Sequence, residues 1–570
     1  MNFNLYLVEN SQKLTWLISS DINVDLTFWH QKGVINIIIL TKKLSIGHAN
    51  ALALHLQQKG LFSLSALSKE ELETENLFTK DGFDLFNANY QSFKKIIFPL
   101  LEGRLLLLDE LSKLDFIEEV PKEKLYQLLQ TGYLLENIKI NPSVSYPYDI
   151  ARKKFTINKE CNHCGTNKNI IVQRCSICED YCATCENCVT MGKSKSCIPL
   201  FYFSIENNPS IKLAQSNKVS MIDLQLSNSQ KKISDKIVDF IKNGNNKEFL
   251  IWAVTGSGKT EMVFFAIKCA LEKGDKVLFT APRRDIIKDL TIRFKNSFPN
   301  LSIVSLYGGS EDRWKVGSLY LATAQQTIRF INYFDLAIID ELDAYPYHNN
   351  LELQYLVKRS LKYGGKTVLM SATPPNEWLI RIKQKTIDYE VLSSRYHGQP
   401  LPTPTIKIIP NKIELLKRKS PFSKIKDFIS EVKKVDGKAL IFVSGVKDIE
   451  IWVDKLIAWF PTEKIGGVHA NDLNRDRKID LFRAGEIRYL VTTTILERGV
   501  TFPNLHILIL NAEAKIFDEA TLVQIAGRVG RSAEFPRGLV WFLAEYMTKD
   551  LHGAKKQINK MNYLAKKQLM

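Results

Sequence analysis

The residues best suited to chemistry stand at positions 253–260, which read Ala-Val-Thr-Gly-Ser-Gly-Lys-Thr. An apolar run typical of a buried strand precedes them at 249–252, and an apolar helical run follows at 262–271. This order of elements cradles a nucleotide phosphate chain, because backbone N–H groups and the positive end of the helix dipole converge there. Lys259 would reach the β- and γ-phosphates, and the Thr260 hydroxyl would bind Mg²⁺. The predicted ATP-binding residues are Gln230, Ala253, Val254, Thr255, Gly256, Ser257, Gly258, Lys259, Thr260 and Glu261.

Two further pairs of residues could complete the hydrolysis of ATP. Asp340 and Glu341 follow an apolar run at 336–339. Asp340 would hold Mg²⁺, and Glu341 would polarise the water that attacks the γ-phosphate. Arg528 and Arg531 are three residues apart, a spacing that places both on one face of a helix. Facing the γ-phosphate from another domain, they could act as arginine fingers.

Polar residues also follow several other apolar, strand-like runs. In open parallel sheets the carboxyl ends of the strands line the ligand crevice. The polar residues that follow these runs are therefore expected to line that crevice. Gln230, about twenty residues before the phosphate loop, is expected to read the adenine edge with its amide.

Eight of the nine cysteines are crowded between positions 161 and 197. Paired Cys-x2-Cys turns are what tetrahedral zinc requires, with two thiolates from each tight turn, and iron–sulfur is the minor alternative. The preferred site joins Cys161, Cys164, Cys185 and Cys188. Cys175, Cys178, Cys182 and Cys197 form a second site or remain spare thiols. His163 is interpreted as a solvated turn residue.

The composition bounds the remaining interpretation. The chain has 570 residues and a formal net charge of +17, which favours a polyanionic partner such as nucleic acid or an acidic membrane surface. No apolar run approaches the ~18 residues needed to span a bilayer, and no secretory signal is evident. Cysteines clustered in this way indicate metal in a reducing cytoplasm.

The N-terminal region carries no assignable chemistry. Its apolar runs predict a strand at 34–40 and helices at 105–117 and 125–138. At the other end, the lysine-rich stretch after 548 is expected to form a helix with a solvated face.

Taken together, residues 218–550 resemble a superfamily-two helicase core, with two RecA-like domains and nucleotide in the cleft between them. The motifs that carry the resemblance are Gln230 and the stretches 253–260, 281–284, 340–343, 371–373, 492–499 and 524–531. The fold implied is α/β: two tandem RecA-like domains preceded by a cysteine-rich zinc module and an N-terminal α/β region. The predicted domains are 1–150, 151–205 (zinc), 218–390 and 400–555 (RecA-like), and 556–570 (basic tail). The helicase resemblance also implies coupling roles for Ser371, Thr373 and Gln524. It implies DNA contacts by Arg283, Thr323 and Thr493.

The chain also resembles the late-competence DNA-uptake helicases of the ComFA family. The stretches that carry this closer resemblance are 253–262, 334–347, 395–398 and 492–502, together with the cysteine-rich module directly before the core. The resemblance implies zinc on Cys161, Cys164, Cys185 and Cys188. The additional cysteines and the long N-terminal region depart from the family pattern.

What the ComFA resemblance implies is an ATP-driven motor that pulls single-stranded DNA into the cytoplasm during natural transformation. Its cofactors would be ATP, Mg²⁺ and Zn²⁺. It would work at the inner face of the membrane beside the uptake channel, with a ComFC-type phosphoribosyltransferase-like partner and single-strand-handling proteins, and it could form an oligomer.

Two alternative functions stay open on the sequence. A primosomal replication-restart helicase shares zinc knuckles and the motor, but it carries its cysteine pairs inside the motor half. A zinc-dependent nucleic-acid-binding adaptor with a weak ATPase would not need the full set of Lys259, Asp340, Glu341, Arg528 and Arg531.

Overall fold

The computed structural model describes residues 1–10, 13–34, 37–58, 72–73, 83–145, 148–149, 154–155, 159–189, 191–205, 218–497 and 502–569. The chain divides into two compact units. The first contains Met1–Ser220, Ala270–Ala337 and Asn349–Gly365, and the second contains Met221–Cys269, Ile338–His348 and Lys366–Met570. No helix among the described residues is long and apolar enough to cross a membrane.

The chain begins with a four-stranded sheet in the order Lys13–Ser19, Phe3–Asn10, Ile37–Leu44 and Leu72–Glu73. All of its strand pairs are antiparallel. Its side chains share one core with those of the neighbouring helices, because both present an apolar face. The helices of this region are Ile22–Gln31, Ile46–Gln58, Phe83–Leu101, Leu108–Leu111, Asp115–Glu118 and Lys122–Leu134.

The prediction of one helix at 105–117 is wrong. Leu105–Leu107 is a strand that pairs with Pro199–Phe203, and only short helices follow it. The predicted helix at 125–138 also ends earlier, at Leu134, and Ile138–Pro142 pairs with the other side of Pro199–Phe203. Short apolar runs fit a strand and a helix equally well. Here pairing with the strand Pro199–Phe203, which lies far later in the chain than either segment, makes both segments strands.

The cysteine-rich segment is built on short strands and turns. Ile170–Arg174 and Tyr181–Cys185 form an antiparallel hairpin, and the 3-10 helix Glu186–Cys188 follows directly. Glu160–Cys161 pairs with Val144–Ser145, which ties the first cysteine turn to the preceding region. A two-stranded pair, Tyr148–Asp149 with Lys154–Phe155, lies between them in the sequence.

A seven-stranded sheet carries the phosphate loop. Its strand order is Ile303–Leu306, Leu319–Thr323, Val277–Ala281, Phe334–Ile339, Leu361–Ser371, Glu248–Ala253 and Asp388–Leu392. Glu248–Ala253 runs parallel to both of its neighbours. Strands buried on both faces are continuous apolar runs, which is why the sequence revealed them. The associated helices are Asn228–Asn243, Lys259–Met262, Phe264–Glu272, Arg284–Ser297, Leu351–Ser360 and Asn376–Lys383, with 3-10 helices Glu311–Trp314 and Ala324–Arg329.

A six-stranded sheet follows, in the order Thr405–Ile408, Val540–Ala544, Leu505–Leu510, Lys438–Phe442, Tyr489–Thr492 and Ile465–Val468. Every pair in it is parallel. The two parallel sheets confirm the predicted α/β class. The helices of this part are Lys412–Lys417, Ser423–Lys434, Val446–Trp459, Arg475–Ala484, Glu519–Ala526 and Lys549–Leu569, with the 3-10 helix Thr494–Leu496.

The C-terminal stretch is one helix, Lys549–Leu569, that continues through position 556 without a break. Ile558 and Met561 are buried in the core of the six-stranded sheet. The expectation of a solvated face is therefore only half right, because the apolar stripe packs while the lysines between its residues face solvent.

Candidate nucleotide site and metal centre

The phosphate loop turns through two glycines after the strand Glu248–Ala253. Gly256 and Gly258 both have φ of 73°, in the left-handed region that favours glycine. The Lys259 ammonium donates to the Ala253 carbonyl at 3.2 Å. Burial lowers the pKa of Lys259, while the charges of Asp340 and Glu341 oppose that shift. The loop thus holds a half-buried lysine whose electrostatic partners include two acidic side chains.

Gln230 braces this loop from the start of the helix Asn228–Asn243. Its Nε2 donates to the Ser257 carbonyl at 2.7 Å, and its Oε1 accepts from the Ser227 N–H at 2.8 Å in a capping box. A Cβ on Gly258 would lie 2.4 Å from the same Nε2, so this approach requires glycine. Gln230 therefore supports the loop backbone, and its reading of adenine stays a prediction.

Asp340 and Glu341 stand at the end of the strand Phe334–Ile339, as predicted. The Glu341 N–H donates to Asp340 Oδ1 at 2.9 Å. Burial, reinforced by the Glu341 charge, raises the pKa of Asp340 to about 6. Glu341 has φ of 52°, an unusual conformation for a residue with a side chain and one that clusters at functional sites. The acidic pair is thus held on a sharply turned backbone.

Asp343 is a functional candidate to which the sequence reasoning gave no role, although it belongs to the quoted motif 340–343. Its carboxylate accepts from the Ser371 hydroxyl at 2.5 Å and from the Thr373 hydroxyl at 2.7 Å. Gln524 Nε2 approaches the same carboxylate at 3.5 Å and Thr373 Oγ1 at 3.4 Å. All four side chains are buried. The three predicted coupling residues therefore meet at one acidic side chain.

Arg528 and Arg531 do not lie on a helix, so that part of the prediction is wrong. The helix Glu519–Ala526 ends before them, and the chain turns through Gly530, whose φ is 69°. Arg531 Nε donates to the Gly527 carbonyl at 3.3 Å. The Thr255 hydroxyl donates to that carbonyl at 3.1 Å, which brings this turn against the phosphate loop.

Arg395 fixes this arginine-bearing turn, a role that the sequence reasoning missed. Its guanidinium donates to the carbonyls of Val529 at 2.8 Å, Gly530 at 2.5 Å and Gly527 at 3.1 Å. Burial, together with the Arg531 charge, lowers the pKa of Arg395 to about 9. The available signal was the motif at 395–398, which was quoted for the family resemblance alone.

Four cysteines of the first unit converge in a centre that could hold a metal ion. The Sγ atoms of Cys161, Cys164, Cys185 and Cys188 all lie within 4.8 Å of one another, and all four residues are buried. The pairs Cys161–Cys188 and Cys164–Cys185 are each 3.7 Å apart. Four buried thiols at these separations could hold a metal ion, and four sulfur ligands are typical of tetrahedral sites. The other four cysteines, Cys175, Cys178, Cys182 and Cys197, form a second such group.

His163 is buried, so its interpretation as a solvated turn residue is wrong. Its Nδ1 lies 2.9 Å from the Ser194 hydroxyl. Burial and the nearby Arg359 charge lower the pKa of His163 to about 3, which keeps the ring neutral.

The first cysteine turn rests on the helix Leu351–Ser360. Arg359 donates to the His163 carbonyl at 2.8 Å and to the Asn162 carbonyl at 3.2 Å, and its other nitrogen donates to Ile328 at 2.7 Å. Gly165 lies so close to Tyr355 that a Cβ would come within 2.1 Å of the ring. One helix of the seven-stranded sheet region thus supports the metal centre.

Each predicted DNA contact stands at a strand end, as expected. Arg283 is half-buried and precedes the helix Arg284–Ser297, and Thr323 ends its strand and precedes Ala324–Arg329. Thr493 follows Tyr489–Thr492 in the second unit. Positions 498–501 of the quoted motif lie outside the described residues. The roles of these residues in DNA binding stay predictions.

Known families cover most of the chain. Residues 91–202 match the Competence protein ComFA N-terminal domain, 223–376 match the family described as Type III restriction enzyme, res subunit, and 421–533 match the Helicase conserved C-terminal domain. Competence protein ComFA of Bacillus subtilis (strain 168) is 35% identical over 452 residues, which is 77% of this chain and 94% of that protein.

Competence protein ComFA of Streptococcus pneumoniae (strain ATCC BAA-255 / R6) is 34% identical over 66% of this chain and 85% of its own. Among solved structures, S. cerevisiae Dbp5 bound to RNA and ADP BeF3 is 18% identical at a TM-score of 0.43, covering 60% of this chain and 94% of that chain.

Proposed function

Because the chain belongs to the ComFA family, we propose that it is an ATP-driven translocase that moves single-stranded DNA during uptake into the cell. Its helicase domains make it a competence-related DNA-dependent ATPase that uses ATP and Mg²⁺. The observation that carries the proposal is the meeting of Asp343, Ser371, Thr373 and Gln524. This group joins the residues around the nucleotide to the part of the chain that bears the arginines.

In this proposal the phosphate loop binds ATP through its backbone and Lys259. Lys259 is half-buried, and the charges of Asp340 and Glu341 oppose the lowering of its pKa by burial. Thr260 and Asp340 would hold Mg²⁺, which neutralises phosphate charge. Glu341 is the group that would take a proton from the attacking water.

The arginine-bearing turn is proposed to complete the site. Arg528 and Arg531 would stabilise the charge that develops on the transferred phosphoryl group. Arg395 positions both, because it bonds the three carbonyls of the turn that carries them. A change in phosphate state at the loop would reach this turn through the Thr255–Gly527 hydrogen bond. This route couples hydrolysis to movement of the DNA.

The metal held by Cys161, Cys164, Cys185 and Cys188 is proposed to be zinc. The residues fit it, because four thiolates within tetrahedral reach are a closed structural zinc set. Zinc bound there would supply folding energy to the module. The chain supports this module through Arg359, which donates to the Asn162 and His163 carbonyls, and through Tyr355, which packs on Gly165. Arg359 also donates to the Ile328 carbonyl in the segment Ala324–Arg329, which follows Thr323.

DNA is proposed to bind through its phosphates along Arg283, Thr323 and Thr493. The net charge of +17 favours such binding, and affinity should fall steeply with salt. A ComFC-type partner, the uptake channel, single-strand-handling proteins and a position at the inner face of the membrane complete the proposal; they rest on the family relationship.

The test is ATP turnover with and without single-stranded DNA. Wild-type turnover should be low alone and rise with DNA, by linkage between the two ligands. Glu341→Gln and Arg528→Ala should bind ATP but turn over slowly, because their effect lies in the transition state. Arg283→Ala should weaken DNA binding on every sequence, whereas its exposed neighbour Arg284→Ala serves as the control.

Translocation itself is measured by displacement of streptavidin from biotinylated single-stranded DNA. ATP-dependent displacement is expected for wild type and should be absent in Glu341→Gln. ATP turnover that does not change when DNA is added would favour the adaptor with a weak ATPase. Unwinding of duplex at stalled forks without translocation along single strands would favour the replication-restart helicase.

A further inference from the structure

We propose that Cys175, Cys178, Cys182 and Cys197 bind a second zinc ion, so that the cysteine-rich segment is a two-metal module. Their Sγ atoms all lie within 4.8 Å of one another, as in the first centre. All four thiols are free, so none is committed to a disulfide. A tetrahedral all-sulfur set of this kind selects zinc in a closed structural site.

The surroundings of the second group supply hydrogen bonds to sulfur. The backbone N–H groups of Ile177 and Cys178 face the Cys175 sulfur, and the Lys195 ammonium lies 3.8 Å from it. The Ser196 hydroxyl lies 3.2 Å from the Cys182 sulfur. Hydrogen-bond partners of this kind orient metal ligands and stabilise thiolates. A chance cluster of thiols would not be expected to have them.

The two groups cannot share one ion. On the strand Tyr181–Cys185, Cys182 pairs with Gln173 and Cys185 pairs with Ile170. Residues three apart on a strand point to opposite faces and lie about 10 Å apart along it. The hairpin therefore presents one ligand to each centre, on opposite faces and towards opposite ends.

The ligands of the two centres are also interleaved along the chain. Cys161 and Cys164 belong to the first centre, the next three cysteines to the second, Cys185 and Cys188 to the first, and Cys197 to the second. Each ion therefore closes a loop that contains ligands of the other. We infer that the two ions hold the segment in one fold, and that neither half is an independent zinc finger.

The two centres differ in exposure. All four ligands of the first are buried, whereas Cys178 of the second is half-exposed. A chelator or thiol reagent should therefore reach the second ion first. This difference makes the two ions separable in an experiment on the unmodified protein.

The experiment uses the full chain purified without chelator. Elemental analysis should give two zinc ions per chain in wild type and in the Cys269→Ala control, since Cys269 lies in the helix Phe264–Glu272, outside both groups. Cys182→Ser should retain about one ion, and because the two loops are interleaved, a chelator should remove that ion faster than it removes the buried ion of wild type. One zinc per chain in wild type, unchanged by Cys182→Ser, would overturn the second site, as would iron with sulfide or a disulfide between these cysteines.

A second measurement does not depend on the folding of a variant. Wild-type protein is treated with a mercurial thiol reagent, and released zinc is followed with a metallochromic indicator. One ion should be released quickly and one slowly. Release of a single ion in one phase overturns the proposal, whatever the protein's ATPase activity proves to be.

Discussion

The nucleotide site and the first cysteine centre bring charges together in opposite ways. Around the phosphate loop, the half-buried Lys259 interacts with the charges of acidic side chains, and Asp343 is hydrogen-bonded by two hydroxyls and an amide. In the cysteine centre, four groups of the same kind converge on one point. The polar groups of the first region largely balance one another, whereas the second requires a cation from outside the chain.

Because of this difference, the nucleotide site can fold without its ligand, whereas the cysteine module should need its metal ion to fold. A site whose polar groups have protein partners can fold first and exchange those bonds for ligand contacts later. Four buried thiolates repel one another unless a metal neutralises them, so their module should fold with the ion. Damage to the first region should therefore appear in turnover, and damage to the second in stability.

The largest expected effect comes from the loop lysine. Lys259→Ala should reduce ATP turnover by on the order of 100- to 1,000-fold, since a charge aimed at the transferred phosphoryl group is lost. Zinc content and unfolding should stay as in wild type. Steady-state phosphate release and elemental analysis check both, with the exposed Lys273→Ala as control. A loss of zinc in Lys259→Ala would break the comparison.

A smaller effect is expected at the residue that positions the arginine-bearing turn. Arg395→Lys keeps the charge but cannot form the same three hydrogen bonds to carbonyls. Turnover should fall about tenfold, the equivalent of one or two hydrogen bonds, while the Kd for ATP changes little. Arg418→Lys, on an exposed residue, is the control. An unchanged kcat would mean that the turn is held by other contacts.

For the metal module, the informative residue is Arg359, which supports the first cysteine turn. Arg359→Ala removes the donors to the Asn162, His163 and Ile328 carbonyls and should cost about 1–3 kcal/mol of local stability. Chelator-driven release of zinc should become faster, with basal ATP turnover unchanged. The exposed neighbour Lys358→Ala should behave as wild type. If the rate of zinc release does not change, the Arg359 hydrogen bonds do not stabilise the metal centre.

The smallest effect concerns a buried acid outside both sites. Asp25 accepts from the Tyr6 hydroxyl at 2.5 Å and from Gln130 at 3.0 Å, and burial raises its pKa to about 7. In the unfolded chain an aspartate titrates near pH ~4, so the folded state binds the extra proton between about pH 4 and pH 7. The stability of this region should therefore fall as the pH rises through that window.

Hydrogen exchange of the peptides spanning Phe3–Asn10 and Ile22–Gln31 measures this pH dependence. Protection should decrease from pH 5.5 to pH 7.5 in wild type after correction for the intrinsic exchange rate. Asp25→Asn, which cannot titrate, should lose the dependence, and the exposed Asp115→Asn should retain it. Equal slopes in the two variants would contradict the assignment to Asp25.

The sequence alone determined the fold class and the family, and it predicted where along the chain the two candidate sites lie. Parallel strands buried on both faces are continuous apolar runs, and the phosphate loop needs residues that are adjacent in the chain. Metal ligands are restricted to a few residue types, so eight cysteines within 37 positions indicate a metal site. These signals are local, and local signals can be read from one sequence.

Only the tertiary structure decided the partners. Asp343 gains its role from Ser371, Thr373 and Gln524, and Arg395 gains its role from carbonyls more than 130 positions away. The strand Leu105–Leu107 and the buried His163 were misjudged for the same reason, because their environments come from distant segments. Spacing in a sequence encodes periodicity within one element, whereas hydrogen-bond partners and burial depend on which elements meet.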